Sequence, residues 1–156
     1  MTLVEIKSLE ETIALATALA KLARRGDVIT LQGDLGAGKS AFARAFIKAI
    51  VGQETVVPSP TFTILESYEG PDYMLSHMDL YRLESPDELQ EIGFDEALIH
   101  GVCLIEWPER LHGYPLPQLL AIHITANPKN ENREFRLAAD SSWAERLKGV
   151  TLICED

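Results

Sequence analysis

The residues with the clearest chemical pattern lie between positions 33 and 40, where the sequence reads GDLGAGKS. They match every defined position of the pattern GxxxxGK[ST], and they stand between an apolar run at 28–31 and a helical pattern at 39–50. In such a setting the glycines let successive backbone N–H groups converge, and the positive end of the following helix faces the same point. The segment is therefore predicted to bind phosphate groups.

The side chains of this loop predict how a nucleoside triphosphate and its metal would be held. Lys39 can reach the β- and γ-phosphates as a point charge, and the Ser40 hydroxyl can ligate Mg²⁺. Glycines within the loop keep side chains out of the path of the phosphates. The residues predicted to contact the nucleotide are Gly33, Asp34, Leu35, Gly36, Ala37, Gly38, Lys39, Ser40 and Ala41.

Two acidic residues at predicted strand ends are candidates for the chemistry on the phosphates. Glu106 ends the apolar run 102–105, a position from which a carboxylate completes the magnesium site in proteins with such a loop; the alternative is an acid that merely ends a strand. Asp79 follows a predicted strand, where it could orient water or the metal, and Arg82 could balance charge near the γ-phosphate. His77 is expected to pack or to form a hydrogen bond within its own strand.

The elements that must position these residues form an α/β pattern. Capping-box sequences at Ser8 and Ser85 predict two helices, the first with Ile13 facing inward and Gly26 as its left-handed cap. Strands are predicted at 28–31, 61–67, 73–79, 102–105, 119–125 and 133–138, and further helices at 39–50 and 141–148. Residues 1–156 are thus predicted to be one P-loop NTPase-like domain, with a mixed parallel and antiparallel sheet flanked by helices.

Composition restricts the classes of partner and the compartment. The 156 residues carry 14 Lys and Arg against 24 Asp and Glu, a formal net charge of −10, which argues against binding nucleic acid through a broad basic face. No apolar run approaches the roughly 20 residues of a membrane span, and the first residues lack the features of a signal peptide. The two distant cysteines, Cys103 and Cys154, indicate no disulfide framework. The expected location is the cytoplasm.

The nucleotide predicted for the loop is ATP, because the signals of a GTPase are missing. The string closest to a guanine-reading NKxD motif, NPKN at 127–130, lacks the aspartate, and no DxxG follows a strand. A small kinase and a nucleotide-gated binding module remain alternatives to an ATPase. The few scattered arginines do not indicate the basic lid that a kinase would carry.

Four segments taken together resemble the bacterial TsaE family, also called YjeE. They are GDLGAGKS (33–40), SPTFT (59–63), HMDLYRL (77–83) and VCLIEW (102–107), in this order and at this spacing. The resemblance implies a small ATPase that uses ATP and Mg²⁺ and works with the TsaD and TsaB proteins to make threonylcarbamoyladenosine in certain tRNAs. It implies that ATP hydrolysis resets their complex, whereas the transfer reaction belongs to TsaD. The acidic composition makes direct tRNA contact doubtful.

The same resemblance implies roles for residues outside the loop. The segment SPTFT is expected to face the γ-phosphate, with Thr61 as its polar contact. Asp79 is expected to position the attacking water, and Glu106 to share Mg²⁺ with the loop serine. Arg133 is expected near the nucleotide, the alternative being that it only holds the hairpin, and Thr12 is expected beside the adenine. Two roles stay open for Trp107: it faces the site or a partner, or it packs in the core.

Overall fold

The computed structural model describes residues 1–34, 36–58, 64–85, 87–148 and 150. Its strands are β1 Thr2–Ile6, β2 Val28–Gln32, β3 Leu65–Glu69, β4 Met74–Asp79, β5 Gly101–Glu106, β6 Leu119–Ala126 and β7 Arg133–Ala139. Its α-helices are α1 Leu9–Leu22, α2 Lys39–Val51, α3 Glu88–Glu91, α4 Phe94–His100 and α5 Ser141–Leu147, and a 3-10 helix spans Pro108–Leu111. Each of the helices described is too short or too polar to span a lipid bilayer.

The strands form one mixed sheet in the order β1-β7-β6-β2-β5-β4-β3. The four neighbours β6, β2, β5 and β4 run parallel, whereas β7, β1 and β3 pair antiparallel with their neighbours. This arrangement confirms the predicted fold class. Because parallel strands end at the same edge of a sheet, the residues that follow β2, β4 and β5 meet there.

Helices cover both faces of the sheet with separate apolar cores. On one face Leu15 of α1 and the two phenylalanines of α2, Phe42 and Phe46, are completely buried in one core. On the other face Leu89 of α3 and Phe94 of α4 are buried in a second core. The β2–α2 connection is therefore fixed at both ends by buried elements, since removing such apolar surface from water is the main stabilising term in folding.

Most predicted elements are confirmed. All six residues of β5 are buried, as expected of a central strand with parallel neighbours on both sides. The hairpin around 70–72 joins β3 to β4, and β6 pairs with β7. The helix after Ser85 is interrupted at Gly93, as predicted. The part of the second predicted strand at 61–63 lies outside the described residues.

The first 26 residues differ from the predictions in three respects. The strand β1 was not predicted; it is a short edge strand in which only Val4 and Ile6 are buried. The buried face of α1 includes Leu15 and its neighbours one turn away, whereas Ile13 points outward and is 45% exposed. Gly26 has a left-handed φ of +94°, but α1 already ends at Leu22, so this glycine shapes the turn before β2 and caps no helix.

A buried ion pair joins α5 to the residue that precedes β2. The two terminal nitrogens of Arg146 donate to the two carboxylate oxygens of Asp27 over 2.6 and 2.7 Å. The carboxylate also accepts from the side-chain amide of Gln118 at 2.8 Å, and Arg146 donates to the carbonyl oxygen of Leu22 at 2.8 Å. Both charged side chains are almost fully buried, so each depends on the other for compensation of its charge.

We predict that Arg146→Met lowers the free energy of unfolding by about 3–5 kcal/mol, because it leaves the Asp27 carboxylate buried without its countercharge. The matched control is Lys148→Met, whose partner Glu145 is exposed. That variant is expected to change the stability by less than about 1 kcal/mol. Urea denaturation of the three proteins measures both effects, and equal losses in the two variants would contradict the prediction.

Candidate functional site

The connection between β2 and α2 has a tightly curved backbone. Gly36 and Gly38 have φ angles of +81° and +115°, a region that residues with a side chain rarely adopt. Gly33 is constrained differently, since a Cβ there would lie 2.6 Å from the carbonyl oxygen of Ile124 in β6. The glycines of the pattern therefore serve two purposes, the curvature of the loop and its close approach to the sheet.

Helix α2 begins directly after this loop. Gly38 is its N-cap residue, and the first helical residue is Lys39. The first turn of α2 contains no acidic side chain that would offset the positive end of the helix dipole. The loop and the 13-residue helix thus form an arrangement of backbone N–H groups that attracts anions.

The side chain of Lys39 is buried, and no described residue forms a hydrogen bond with its ammonium group. The residue is 6% exposed, and its Nζ makes no hydrogen bond within the described part of the chain. Nζ lies 3.9 Å from the centre of the Trp107 ring, so the ammonium group is held by a cation–π contact. A buried cation is costly unless it is paired, which makes this position ready to accept an anion.

Trp107 occupies a strained position between β5 and the 3-10 helix. Its φ and ψ angles of 59° and 53° are left-handed, which is uncommon for a residue with a large side chain. Its ring packs against that of Tyr81 with the centroids 4.9 Å apart, and it also contacts the second apolar core. The two roles left open by the sequence are thus combined, since the indole contacts both the loop lysine and the core.

Asp79 and Glu106 stand side by side at the ends of β4 and β5. They are paired residues in the parallel register of these strands, and each is less than one-tenth exposed. One Asp79 oxygen, Oδ1, accepts from the backbone N–H of Tyr81 at 3.0 Å. The Glu106 Oε2 atom lies 2.7 Å from Nε2 of His77, which must donate because a carboxylate only accepts. The sheet therefore brings together two acids that are 27 positions apart in the sequence.

A small cavity of about 70 Å³ lies between α2 and β5. Ser40, Arg44, His77 and Glu106 contribute its polar lining. A hydroxyl and a carboxylate are the kinds of oxygen ligand that Mg²⁺ prefers, and the volume suffices for an ion with a few waters. Ser40 and Glu106, the two residues predicted to bind the metal, thus fit such an ion.

Arg133 holds the phosphate-binding loop from its carbonyl side. Its Nε donates to the carbonyl oxygen of Ala37 at 3.0 Å, and Nη2 makes a longer contact of 3.5 Å with that of Gly36. In a planar trans peptide the C=O and N–H groups point in opposite directions. By holding the Ala37 carbonyl, Arg133 turns the N–H of Gly38 to the opposite side of the loop.

The predicted site residues are distributed as follows. The described residues of the loop follow β2 at the sheet edge where Asp79 ends β4 and Glu106 ends β5. Arg133 contacts this loop through the carbonyl oxygen of Ala37. Thr12 is buried in the first turn of α1, where its hydroxyl is 3.5 Å from the carbonyl oxygen of Ser8, and no hydrogen bond among the described residues joins it to the loop. Leu35 and Thr61, with the rest of 59–63, lie outside the residues that the structure describes.

Sequence reasoning missed two contacts. His77 bonds to Glu106 on the neighbouring strand and not within its own strand, and Arg133 bonds to backbone oxygens of the loop. The only signal for the first contact was the two-residue spacing of His77 and Asp79, which places both on one face of a strand. The buried Cys103 has no such role, because burial raises its pKa to about 12 and keeps the thiol protonated.

Comparisons with known proteins show which sequences this chain is similar to. The sequence model of the family described as "Threonylcarbamoyl adenosine biosynthesis protein TsaE" matches residues 6–135. The tRNA threonylcarbamoyladenosine biosynthesis protein TsaE of Rickettsia conorii is 42% identical over 126 residues, which cover 81% of this chain and 72% of that protein. The Bacillus subtilis protein of that name is 40% identical over 139 residues, which cover 88% of this chain and 85% of that protein.

A solved structure shows the same fold. The crystal structure of YdiB from Bacillus subtilis superposes with a TM-score of 0.74 at 36% sequence identity. The superposition covers 92% of this chain and 88% of that chain. It therefore includes nearly the whole of the domain described above.

We predict that Lys39→Met raises the free energy of unfolding of the ligand-free protein by about 1 kcal/mol. Removing a buried cation without a hydrogen bond relieves about 1–3 kcal/mol, and the lost cation–π contact offsets only part of this. Lys48→Met, on the same helix but partly exposed, is the control and is expected to have little effect. Urea denaturation in EDTA without nucleotide measures the difference, and a less stable Lys39→Met protein would argue against the prediction.

Proposed function

Since the chain belongs to the TsaE family, we propose that it acts in tRNA threonylcarbamoyladenosine biosynthesis as a Mg²⁺-dependent ATPase. The observation that carries this proposal is the buried Lys39 ammonium, which has no hydrogen bond within the described residues and stands at the start of the loop helix. An ammonium group in such a place is stabilised by the phosphates of a nucleotide. The proposed biosynthetic process rests on the family, and the proposed ATPase activity rests on the residues of the site.

In this proposal the triphosphate lies against the loop. The N–H groups around Gly36 and Gly38 and the N-terminus of α2 bind the phosphate oxygens. Lys39 leaves the face of Trp107 and donates to the β- and γ-phosphates. Arg133 remains on the carbonyl side of the loop, so its part is to orient the N–H of Gly38 toward the phosphates.

Ser40 and Glu106 are the residues that would hold Mg²⁺, with phosphate oxygens and water completing its shell. When bound, the metal supplies neutralisation of the charge that develops on the phosphates. Asp79 is then proposed to accept a hydrogen bond from the attacking water and to orient it. The carboxylate of Asp79 is already held by the N–H of Tyr81, which limits its rotation.

Rapid turnover is proposed to require the partner proteins TsaD and TsaB. Transferring a phosphoryl group benefits greatly from an arginine that neutralises the transition state. Arg133 is committed to loop carbonyls, and Arg110 lies over the ring of Tyr81, with its guanidinium carbon 5.7 Å from the ring centre. Arg44 lines the cavity with Ser40 and Glu106, so in this proposal a partner adds to the charge that this chain supplies there, and hydrolysis resets the complex. The charge of −10 favours leaving most tRNA contact to those partners.

A second candidate is a nucleotide-gated binding module in which hydrolysis is not essential. A chain of contacts runs from Lys39 through the ring of Trp107 to that of Tyr81, which is 48% exposed. Loss of the first contact on nucleotide binding would free Trp107 to repack. Nucleotide occupancy would then change the exposed surface without any bond being broken.

The two candidates are separated by Asp79→Asn, assayed with TsaB, TsaD and tRNA. We predict that the variant binds ATP like the wild type but hydrolyses it about 10²–10⁴-fold more slowly, because the general-base or orienting carboxylate is lost. Threonylcarbamoyladenosine formation over several turnovers should fall together with the rate of ATP hydrolysis. Undiminished formation would favour the binding module, and equal ATPase rates with and without the partners would contradict their proposed part.

We predict that Arg133→Met lowers the affinity for ATP about tenfold, because the hydrogen bonds that orient the loop are lost, whereas Arg136→Met does not. Both arginines lie on β7, but Arg136 is half-exposed and pairs with Glu134. Isothermal titration calorimetry with Lys39→Met as the non-binding reference measures the effect. Equal affinities in the two arginine variants would show that the contacts to Ala37 and Gly36 do not shape the site.

A further inference from the structure

The histidine on β4 makes one hydrogen bond to the residue proposed as a metal ligand. His77 is 3% exposed, and its Nε2 lies 2.7 Å from Oε2 of Glu106. Its other ring nitrogen, Nδ1, is buried and has no partner among the residues that the structure describes. Buried polar atoms are almost always satisfied, so a buried histidine with one unpaired ring nitrogen is an exception that calls for an explanation.

The sheet register explains why this pair forms. His77 is directly paired with Leu104 on β5, and Glu106 is two residues further along the same strand. Side chains alternate between the two faces of a strand, so His77, Asp79 and Glu106 all lie on one face. This is the face on which α2 packs, and both His77 and Glu106 line the 70 Å³ cavity together with Ser40.

We propose that His77 is a positioning residue for the metal site. Its Nε2–H holds one carboxylate oxygen of Glu106, Oε2, and so leaves Oε1 as the oxygen that would bind the metal together with Ser40. A hydrogen bond behind a metal-ligating carboxylate fixes its orientation, and loss of such a partner typically costs 10–100-fold in metal affinity. This inference rests on the metal site of the proposed function.

The test measures Mn²⁺ binding to the full-length protein in the presence of saturating ADP by electron paramagnetic resonance. His77→Phe is expected to weaken Mn²⁺ binding about 10–100-fold, because the ring is retained but the donor is lost. Binding of ADP in EDTA should change less than about twofold, which a general disruption of the loop would not allow. His77→Gln should restore Mn²⁺ affinity to within about threefold of the wild type, because its amide nitrogen can replace Nε2 as the donor.

A second pair of variants keeps the test decisive if His77→Phe does not fold. His77→Asn carries the same amide on a side chain that is too short to reach Glu106, so it should bind Mn²⁺ as weakly as a protein without the donor. Glutamine and asparagine at position 77 thus differ only in reach. Equal Mn²⁺ affinities of these two variants would overturn the proposal.

The other outcomes separate this proposal from the one on which it rests. If the wild type with ADP binds no Mn²⁺, the metal site itself is refuted, and the role of His77 is refuted with it. If the wild type binds Mn²⁺ and His77→Phe binds it equally well, only the role of His77 is overturned. Weak binding by both His77→Phe and a folded His77→Gln would show that hydrogen-bond donation is not what matters.

Discussion

The site depends on one geometric constraint, that β2, β5 and β4 are parallel neighbours and end at one edge of the sheet. The loop that follows β2 brings Lys39 to this edge, and the last residues of β4 and β5 bring Asp79 and Glu106. An antiparallel order would place one of these groups at the opposite edge. The antiparallel strands β1, β7 and β3 pair outside the parallel set, so they extend the sheet without separating the groups of the site.

The net charge of −10 contrasts with the local positive character of the loop. Dipoles of backbone N–H groups, one helix terminus and one buried ammonium create a positive site without a cluster of basic side chains. The cost of burying Lys39 is reduced by the face of Trp107, which is itself held in a left-handed conformation. The ligand-free protein therefore has a buried ammonium group next to a tryptophan with a left-handed backbone. Unfavourable features of this kind are common at functional sites.

The sequence predicts those parts of the molecule that depend on local patterns. The loop is recognised from its glycines and lysine, and the common sheet edge of both acids follows from their positions at predicted strand ends. Nearly all strands and helices follow from periodicity and capping residues. The edge strand β1 is not predicted because its five residues gain stability only by pairing with β7, more than a hundred positions later in the sequence. The outward direction of Ile13 likewise depends on which side of α1 meets α2, which no local pattern specifies.

The contacts at the site that the sequence does not predict share a physical property: each joins a side chain to another group of the protein. Arg133 reaches loop carbonyls from β7, and His77 reaches a carboxylate from β4. Each contact constrains an orientation, of a peptide plane in one case and of a carboxylate in the other. A residue type alone cannot reveal this, because arginine and histidine would be equally suited to touch phosphate. The register of the strands decides which neighbour each of these side chains meets.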